Sequence, residues 1–394
     1  MRDKILSSEY ATYREKIQKY FREKVLESPS LLLDPMAGTA PLIPHVETNG
    51  YTAYFNDILP IHFFINKAKT YEVFEQYRHQ GYDWFRQELL QCMSPLENRM
   101  LCMSEKWIND DILNYLIQAW HLTKEYDENS EILLKATILL CVRPFSSITK
   151  SNNSTWLKFG GVSSNRSLRE IVQSGLATFD RYYHKNYGRC IIKRRGQSVI
   201  TRVNAEKFEL PDGAKADIIL TSPPYCNRLD PIVLYGPENY FLSFLGYGVQ
   251  EKDLISTTKV KGYNKLQEDL EYLMSNSKHA HCILTKIGKS EVKDDTSYYL
   301  KYYTRYFAML SAVMNKILSN LASTGKMYIV TQDNIHRGIL IEIDKVLAEL
   351  LARNGWRSRV IKKWEVPHQG LRNVSRKHAF VKPKHWEKLI RVTQ

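Results

Sequence analysis

Cysteine is sparse and never paired in this chain: Cys92, Cys102, Cys141, Cys190, Cys226 and Cys282 are scattered, with no CxxC spacing among them. That pattern argues against a zinc site and against a disulfide framework, and it fits a reducing, cytoplasmic setting. No metal is expected. No run of about 18 apolar residues occurs, the length that a membrane-spanning helix needs. Met1-Arg2-Asp3-Lys4 leads into a charged helical pattern, not an apolar signal core, so no membrane segment or secretory leader is expected. Internal repeats and low-complexity tracts are also missing. Acidic residues are in deficit: 42 Asp and Glu stand against 56 Lys and Arg, for a net charge of +14. A polyanionic partner, nucleic acid first, is the natural complement of that balance.

What is present is the material of a large globular protein. A chain of 394 residues with 43% apolar content can bury a substantial core over two or three domains. Its 25 tyrosines, 14 phenylalanines and 7 tryptophans supply flat faces, most of them for the core and some available for base stacking.

Residues 8–28 read as an amphipathic helix, with Tyr10, Tyr13, Ile17, Tyr20, Phe21 and Val25 at helical spacing. The leucines 31–33 read as a short strand that opens into Asp34-Pro35-Met36-Ala37-Gly38-Thr39-Ala40. A small-residue turn between strand and helix is a nucleotide-type junction, where backbone N–H groups and close approach accommodate a cofactor. Residues 51–55 read as a second strand, ended by Asn56-Asp57, and Pro60 starts a helix through Lys69. Asp57 thus lies 57 − 38 = 19 residues beyond Gly38, near the spacing at which an acid meets ribose hydroxyls in dinucleotide folds.

From 71 to 189 the apolar spacing turns helical, notably in 84–92, 108–120 and 132–142, and reads as an insertion. Its tail carries Lys158, Arg166, Arg169, Arg181, His184, Lys185 and Arg189, and Lys193-Arg194-Arg195 continues the same sign. These charges suit either a solvated basic face or a nucleic-acid surface. Strands resume at 198–203, followed by Asn204-Ala205, and again at 218–220. Residues 226–300 read as irregular and tyrosine-rich. A strong helix at 302–321 is read as capped by Ser323-Thr324-Gly325 before a strand at 326–331; a helix at 341–353 and strands at 357–364 and 377–381 complete the chain. Alternating strands and helices imply an α/β sheet with helices on both faces.

The stretch most laden with chemistry is Ala216-Asp217-Ile218-Ile219-Leu220-Thr221-Ser222-Pro223-Pro224-Tyr225, a buried strand running into a rigid loop. Two prolines remove two backbone donors, which frees the carbonyls of Ser222 and Pro223 to act as acceptors. Acceptors beside the Tyr225 ring suit a flat base carrying an exocyclic amine.

Together these residues resemble the AdoMet-dependent DNA amino-methyltransferases. The residues 34–40 are similar to the family's cofactor motif (Asp-Pro-Phe-x-Gly-x-Gly), with Ala40 in place of the second glycine, and Thr221-Ser222-Pro223-Pro224-Tyr225 is similar to its catalytic motif (Ser/Asp/Asn-Pro-Pro-Tyr/Phe). The resemblance covers roughly 25–70 and 196–381 and implies a Rossmann-like seven-stranded α/β fold. The catalytic domain would then be discontinuous, 1–70 and 190–394, with 71–189 as a helical target-recognition insertion and 226–300 as a substrate-facing one. It further implies S-adenosyl-L-methionine as cofactor, with Asp34, Met36, Gly38 and Thr39 around its methionine part and Pro35 and Thr221 also among the residues that bind it. Asp57 and Ile58 would meet the ribose and adenine, and Asn204 and Ala205 the adenine edge.

Double-stranded DNA is the implied partner, and the resemblance extends to a restriction–modification role with a cognate restriction endonuclease. The target base would be flipped onto Tyr225, its amine held by Ser222 and Pro223 with Pro224 stiffening the loop. A hydroxyl residue at the first motif position resembles the cytosine-N4 enzymes, with adenine-N6 as the alternative. Asn227 and Arg228 follow the loop as nucleic-acid-binding candidates, Arg228 suiting either a phosphate beside the flipped base or a structural pair with Asp230, and the loop carrying His368 to Asn373 is expected to face substrate. Cys226 is read as a small packing residue. An RNA base methyltransferase and a nucleic-acid binder without catalysis are the rival readings.

Overall fold

Leu32 and Leu33 are fully buried, each contributing roughly 1.5–3 kcal/mol, and they seat the first strand of the sheet. The structure, a computed structural model, describes residues 15–26, 31–97, 107–149, 158–159, 166–188, 195–226, 230–257, 260, 262–366 and 386–394. The strands in chain order are β1 (Leu31–Asp34), β2 (Thr52–Asn56), β3 (Ile148–Thr149), β4 (Lys158–Phe159), β5 (Gln197–Thr201), β6 (Ala216–Thr221), β7 (Leu321–Gln332), β8 (Asn334–His336), β9 (Ile339–Ile341), β10 (Arg357–Glu365) and β11 (Trp386–Thr393).

Seven of them form one mostly parallel sheet in the order β10-β11-β7-β6-β1-β2-β5. β1, β2 and β5 run parallel, as do β6 and β7. β11 is antiparallel to both β7 and β10. The chain steps outward from β1 through β2 to β5 and resumes on the other side with β6, so strand order reverses at β1. In open α/β sheets such a reversal marks where ligands bind, outside the carboxyl ends of the strands. The fold is α/β and compatible with a Rossmann-like sheet.

Backbone contacts divide the chain into two units. The first comprises residues 1–205 and 230–253. Beside β1, β2 and β5 it holds the helices Pro60–Ala68, Tyr71–Gln80, Tyr82–Met93, Asp110–Leu122, Glu128–Val142 and Leu168–Asn186. Helix Glu128–Val142 is buried from Ile132 through Val142, the pattern of a helix covered on every side. Trp120 packs edge-on against Phe64 at 4.8 Å and Phe241 at 5.6 Å. The segment 230–253 docks on this helical body: Arg143 grips Glu238 through two bonds of 2.9 and 2.7 Å. At Gly236 a Cβ would lie 2.3 Å from the Trp107 ring, so a larger residue there would force the indole to shift.

The second unit comprises residues 206–229 and 254–394. It holds β6, β7, β10 and β11 with the helices Leu266–Asn276, Lys278–Gly288, Leu300–Leu318 and Ile343–Arg353. Helix Leu300–Leu318 buries Tyr302, Tyr303, Tyr306 and Phe307 in its first half and Leu310, Val313, Met314 and Ile317 in its second. No described helix is long and apolar enough to cross a membrane.

Three expectations change, and a fourth falls outside the described residues. Residues 226–300 are not irregular: they hold the helices Gly236–Phe244, Leu266–Asn276 and Lys278–Gly288 and a single turn at Pro231–Leu234. Each is short and bounded by Pro, Gly or Ser, so no apolar period is long enough to register. Ser323-Thr324-Gly325 does not cap the preceding helix, which ends at Leu318 with Ser319 as its cap; β7 begins at Leu321, and its pairing with β6 jumps from Ala216↔Leu321 to Ile218↔Lys326. Gly325 belongs to that irregularity, where a Cβ would approach Ala216 O at 3.0 Å. The last strand is β11 at Trp386–Thr393; the 377–381 candidate lies outside the described residues, as does the loop from His368 to Asn373. Finally, a hairpin of β8 and β9 precedes the helix expected from 341, which starts at Ile343.

Candidate active site

β1 ends on Asp34, which is fully buried, and the turn that follows buries Ala37, Thr39 and Ala40. Its backbone is left-handed at Gly38 (φ 54°) and again at Ala40 (φ 39°). The second is the position at which the resembling motif has glycine, and a Cβ there carries a steric cost. The turn is held by its own N–H of Ala37, donated to Asn56 O at 2.8 Å, and that of Ala40, donated to Ala37 O at 2.8 Å.

Side chains from the next strand and helix fix the rest of it. Gly38 N–H donates to Asp57 Oδ2 at 2.8 Å, and Leu59 N–H donates to Asp57 Oδ1 at 2.9 Å. His62 Nδ1 lies 3.1 Å from Asp57 Oδ2. Burial alone would raise the Asp57 carboxyl, but His62 and the two N–H donors outweigh it and hold the group below the usual carboxylate range. Asn66 Nδ2 donates to Gly38 O at 2.8 Å. Lys69, 1% exposed, donates to Thr39 O and, at 3.3 Å, to Ala40 O, and burial lowers its ammonium to about 7.

Asn56 ties the three parallel strand ends together. Its amide donates to Pro35 O at 3.0 Å and to Val203 O at 2.8 Å. Its Oδ1 accepts from Thr201 Oγ1 at 3.0 Å and Val203 N–H at 2.9 Å. That uses the full hydrogen-bonding capacity of the amide. Arg202 plays a parallel part, donating to Ile58 O at 3.3 Å and to Tyr247 O at 3.0 Å. Neither residue stood out in the sequence as more than a strand end; the only available signal was an Asn beside the expected acid.

The residues Asp34, Pro35, Met36, Gly38 and Thr39 therefore gather with Asp57 at the carboxyl ends of β1 and β2, Ile58 follows β2, and Asn204 and the buried Ala205 follow β5. In the second unit β6 ends on Thr221, whose buried Oγ1 has no hydrogen-bond partner among the described residues. Ser222, Pro223, Pro224 and Tyr225 come next. Tyr306 OH donates to Pro224 O at 2.8 Å, and Asn334 Nδ2 donates to Cys226 O at 2.8 Å. Tyr225 OH donates to Glu387 Oε1 at 3.0 Å, and Ser222 Oγ donates to Tyr225 OH at 3.4 Å. Glu387 is 1% exposed and entirely missed by the motif, because β11 is distant in sequence. Burial pushes the Cys226 thiol up to about 12, so it is no thiolate near neutral pH.

The basic candidates are more dispersed. Arg166 and Arg169 are exposed at the start of helix Leu168–Asn186, and Arg195 is exposed just before β5. Lys158 sits in β4, its side chain outside the described set; Asn227, Arg228, Lys193 and Arg194 also lie outside the described residues. Among the described residues no group of three or more His, Cys, Asp or Glu could hold a metal. Protein-family models give no match to this chain, and neither do curated proteins.

Proposed function

We propose that this chain is a site-specific DNA methyltransferase that uses S-adenosylmethionine to methylate the exocyclic N4 amine of a flipped cytosine. One observation carries the reading: the turn 34–40, pinned through Gly38 N–H to Asp57, lies at the carboxyl end of the strand where the sheet order reverses. Open α/β sheets bind their ligands at that place.

The donor set fits the cofactor's chemistry. Asp57 spends two of about four acceptor positions on the N–H groups of Gly38 and Leu59, with His62 Nδ1 3.1 Å away, leaving capacity for a ribose hydroxyl. Asn66 Oδ1 is buried with no hydrogen-bond partner among the described residues, an acceptor that a donor-rich ligand would satisfy at a gain of roughly 1–3 kcal/mol. Ile58 would flank the adenine. The positive φ of Ala40 is a strain that this fit must carry.

When bound, S-adenosylmethionine supplies an electrophilic methyl group on sulfur. The protein's part is to make a poor nucleophile reactive. An exocyclic amine shares its lone pair with the ring and is buried in a duplex, so the base has to leave the stack. Tyr225 would stack on the extruded ring, while Ser222 Oγ and Pro223 O accept hydrogen bonds from its NH₂. Those acceptors favour a tetrahedral nitrogen and stabilise the positive charge that develops there. Tyr306, through Pro224 O, stiffens the loop that presents them. The net charge of +14 supports a nucleic-acid partner.

The strain at Ala40 favours one other reading, a nucleic-acid binder that has lost catalysis. Calorimetry with S-adenosylmethionine separates the two: DNA binding without cofactor binding supports the binder. Transfer of labelled methyl into DNA tests the main reading directly.

A further inference from the structure

We propose that Glu387 is a positioning residue that sets the hydrogen-bond polarity of the Ser222–Tyr225 loop and so makes it selective for an amino group over a keto oxygen; the inference rests on the reading of this loop as a base-binding site.

Glu387 sits on β11, the strand between β7 and β10, with its backbone in register with Gln332 on one side and Trp364 on the other. Its position is therefore fixed by the sheet and not by a loop, as a site needs for precise geometry. The side chain is buried at 1% exposure, and burying a carboxylate is unfavourable unless it is hydrogen-bonded. It meets the Tyr225 hydroxyl at 3.0 Å.

The direction of each bond follows from what each group can do. With Glu387 ionised, as the proposal requires, its carboxylate only accepts, and Tyr225 donates its single hydroxyl proton to it. Having spent that proton, the Tyr225 oxygen can only accept from Ser222, 3.4 Å away. The Ser222 hydroxyl then has its proton turned toward Tyr225 and only lone pairs left for a ligand. With Glu387 in place, a serine that is by itself both donor and acceptor becomes an acceptor alone. An exocyclic NH₂ meets these lone pairs as a donor, whereas a keto oxygen at the same ring position meets them lone pair to lone pair. A site built to hydrogen-bond one group rejects the analogue that lacks it far better than an apolar pocket does. The same bond fixes the Tyr225 ring plane, the face on which the base would lie.

Competition between oligodeoxycytidine and oligodeoxyuridine of equal length tests this, because single strands need neither a recognition sequence nor base flipping. The wild-type protein is expected to prefer deoxycytidine by about tenfold or more. Glu387→Gln, whose amide can turn its NH₂ toward Tyr225, and Tyr225→Phe, which breaks the relay in the middle, are each expected to bring that ratio close to one. The double variant should go no further, since both changes cut a single chain of bonds. Unchanged melting temperature and S-adenosylmethionine affinity would set the effect apart from a merely structural one. If Glu387→Gln fails to fold, Tyr225→Phe with Ser222→Ala gives the same comparison. A preference retained in the single variants, or losses that add in the double, would overturn the relay. Methyl transfer by the wild type is scored separately: its absence with the preference and its loss intact overturns the transferase reading alone, and transfer with a preference indifferent to Glu387 overturns the relay alone.

Discussion

Asp57 Oδ2 accepts the backbone N–H of Gly38 at 2.8 Å, tying the end of β2 to the turn that leaves β1. An acid at this place is expected to bind a ribose, yet here it first organises the loop that would hold the rest of the cofactor. The carboxylate supports the turn and has acceptor capacity left over for a ligand. Loss of Asp57 would therefore be felt twice.

Replacing Asp57 with Ala should lower S-adenosylmethionine affinity by about tenfold or more, read by calorimetry, while leaving single-stranded DNA binding near normal. The same residue makes a prediction about acid. Its folded carboxyl is held below the ordinary value of 3.8, so its contribution to stability is present above that value and is lost as pH falls through the lower, folded one. Denaturant unfolding at a series of pH values should show Asp57→Asn flattening the acid limb below about pH 4.

Lys69 gives the opposite dependence. Burial lowers its ammonium from 10.5 to about 7, so between those values the unfolded chain binds a proton that the folded chain does not. Stability should rise with pH across that window, and the cost of the buried charge should be greatest below about 7. Comparing unfolding of the wild type and Lys69→Met from pH 6 upward, at roughly unit steps, should show the difference between them shifting in the wild type's favour. A difference independent of pH would mean that Lys69 keeps its ordinary affinity for protons.

Ala40→Gly should be a gain. The φ of 39° at Ala40 is open to glycine without steric cost, although glycine also gives the unfolded chain more freedom. The balance is a stabilisation of about 0.5–1 kcal/mol, visible in chemical unfolding. Tighter S-adenosylmethionine binding should accompany it, as the turn relaxes toward the geometry that the motif's second glycine permits.

The sequence was most informative where a short local rule operates. The leucines 31–33 and the stretch ending at Thr221 announce strands by apolarity and a hard stop, and β1 and β6 sit there. Helix Pro60–Ala68 begins at the proline that predicts it. What stayed hidden depends on distant pairing. Asn56 is one asparagine among many until Val203, 147 positions away, returns to it. Glu387 acquires meaning only because β11 enters the sheet beside β7 and brings its side chain to Tyr225, 162 positions earlier. The strand β7 begins at Leu321, the end of the expected helix, and runs through what looks like its cap, because an irregular pairing with Ala216 carries no periodic signature. Short helices bounded by Pro, Gly and Ser between 226 and 300 read as loop because their apolar period is too brief to register.

The most direct test of the central proposal is to incubate the protein with mixed-sequence DNA and methyl-labelled S-adenosylmethionine, digest the DNA to nucleosides and identify the labelled product by mass. N4-methylcytosine is the expected product. Label in N6-methyladenine would keep the chemistry and change the base, and label in RNA with none in DNA would contradict the substrate. No label in either, from protein that binds S-adenosylmethionine, would contradict the account outright.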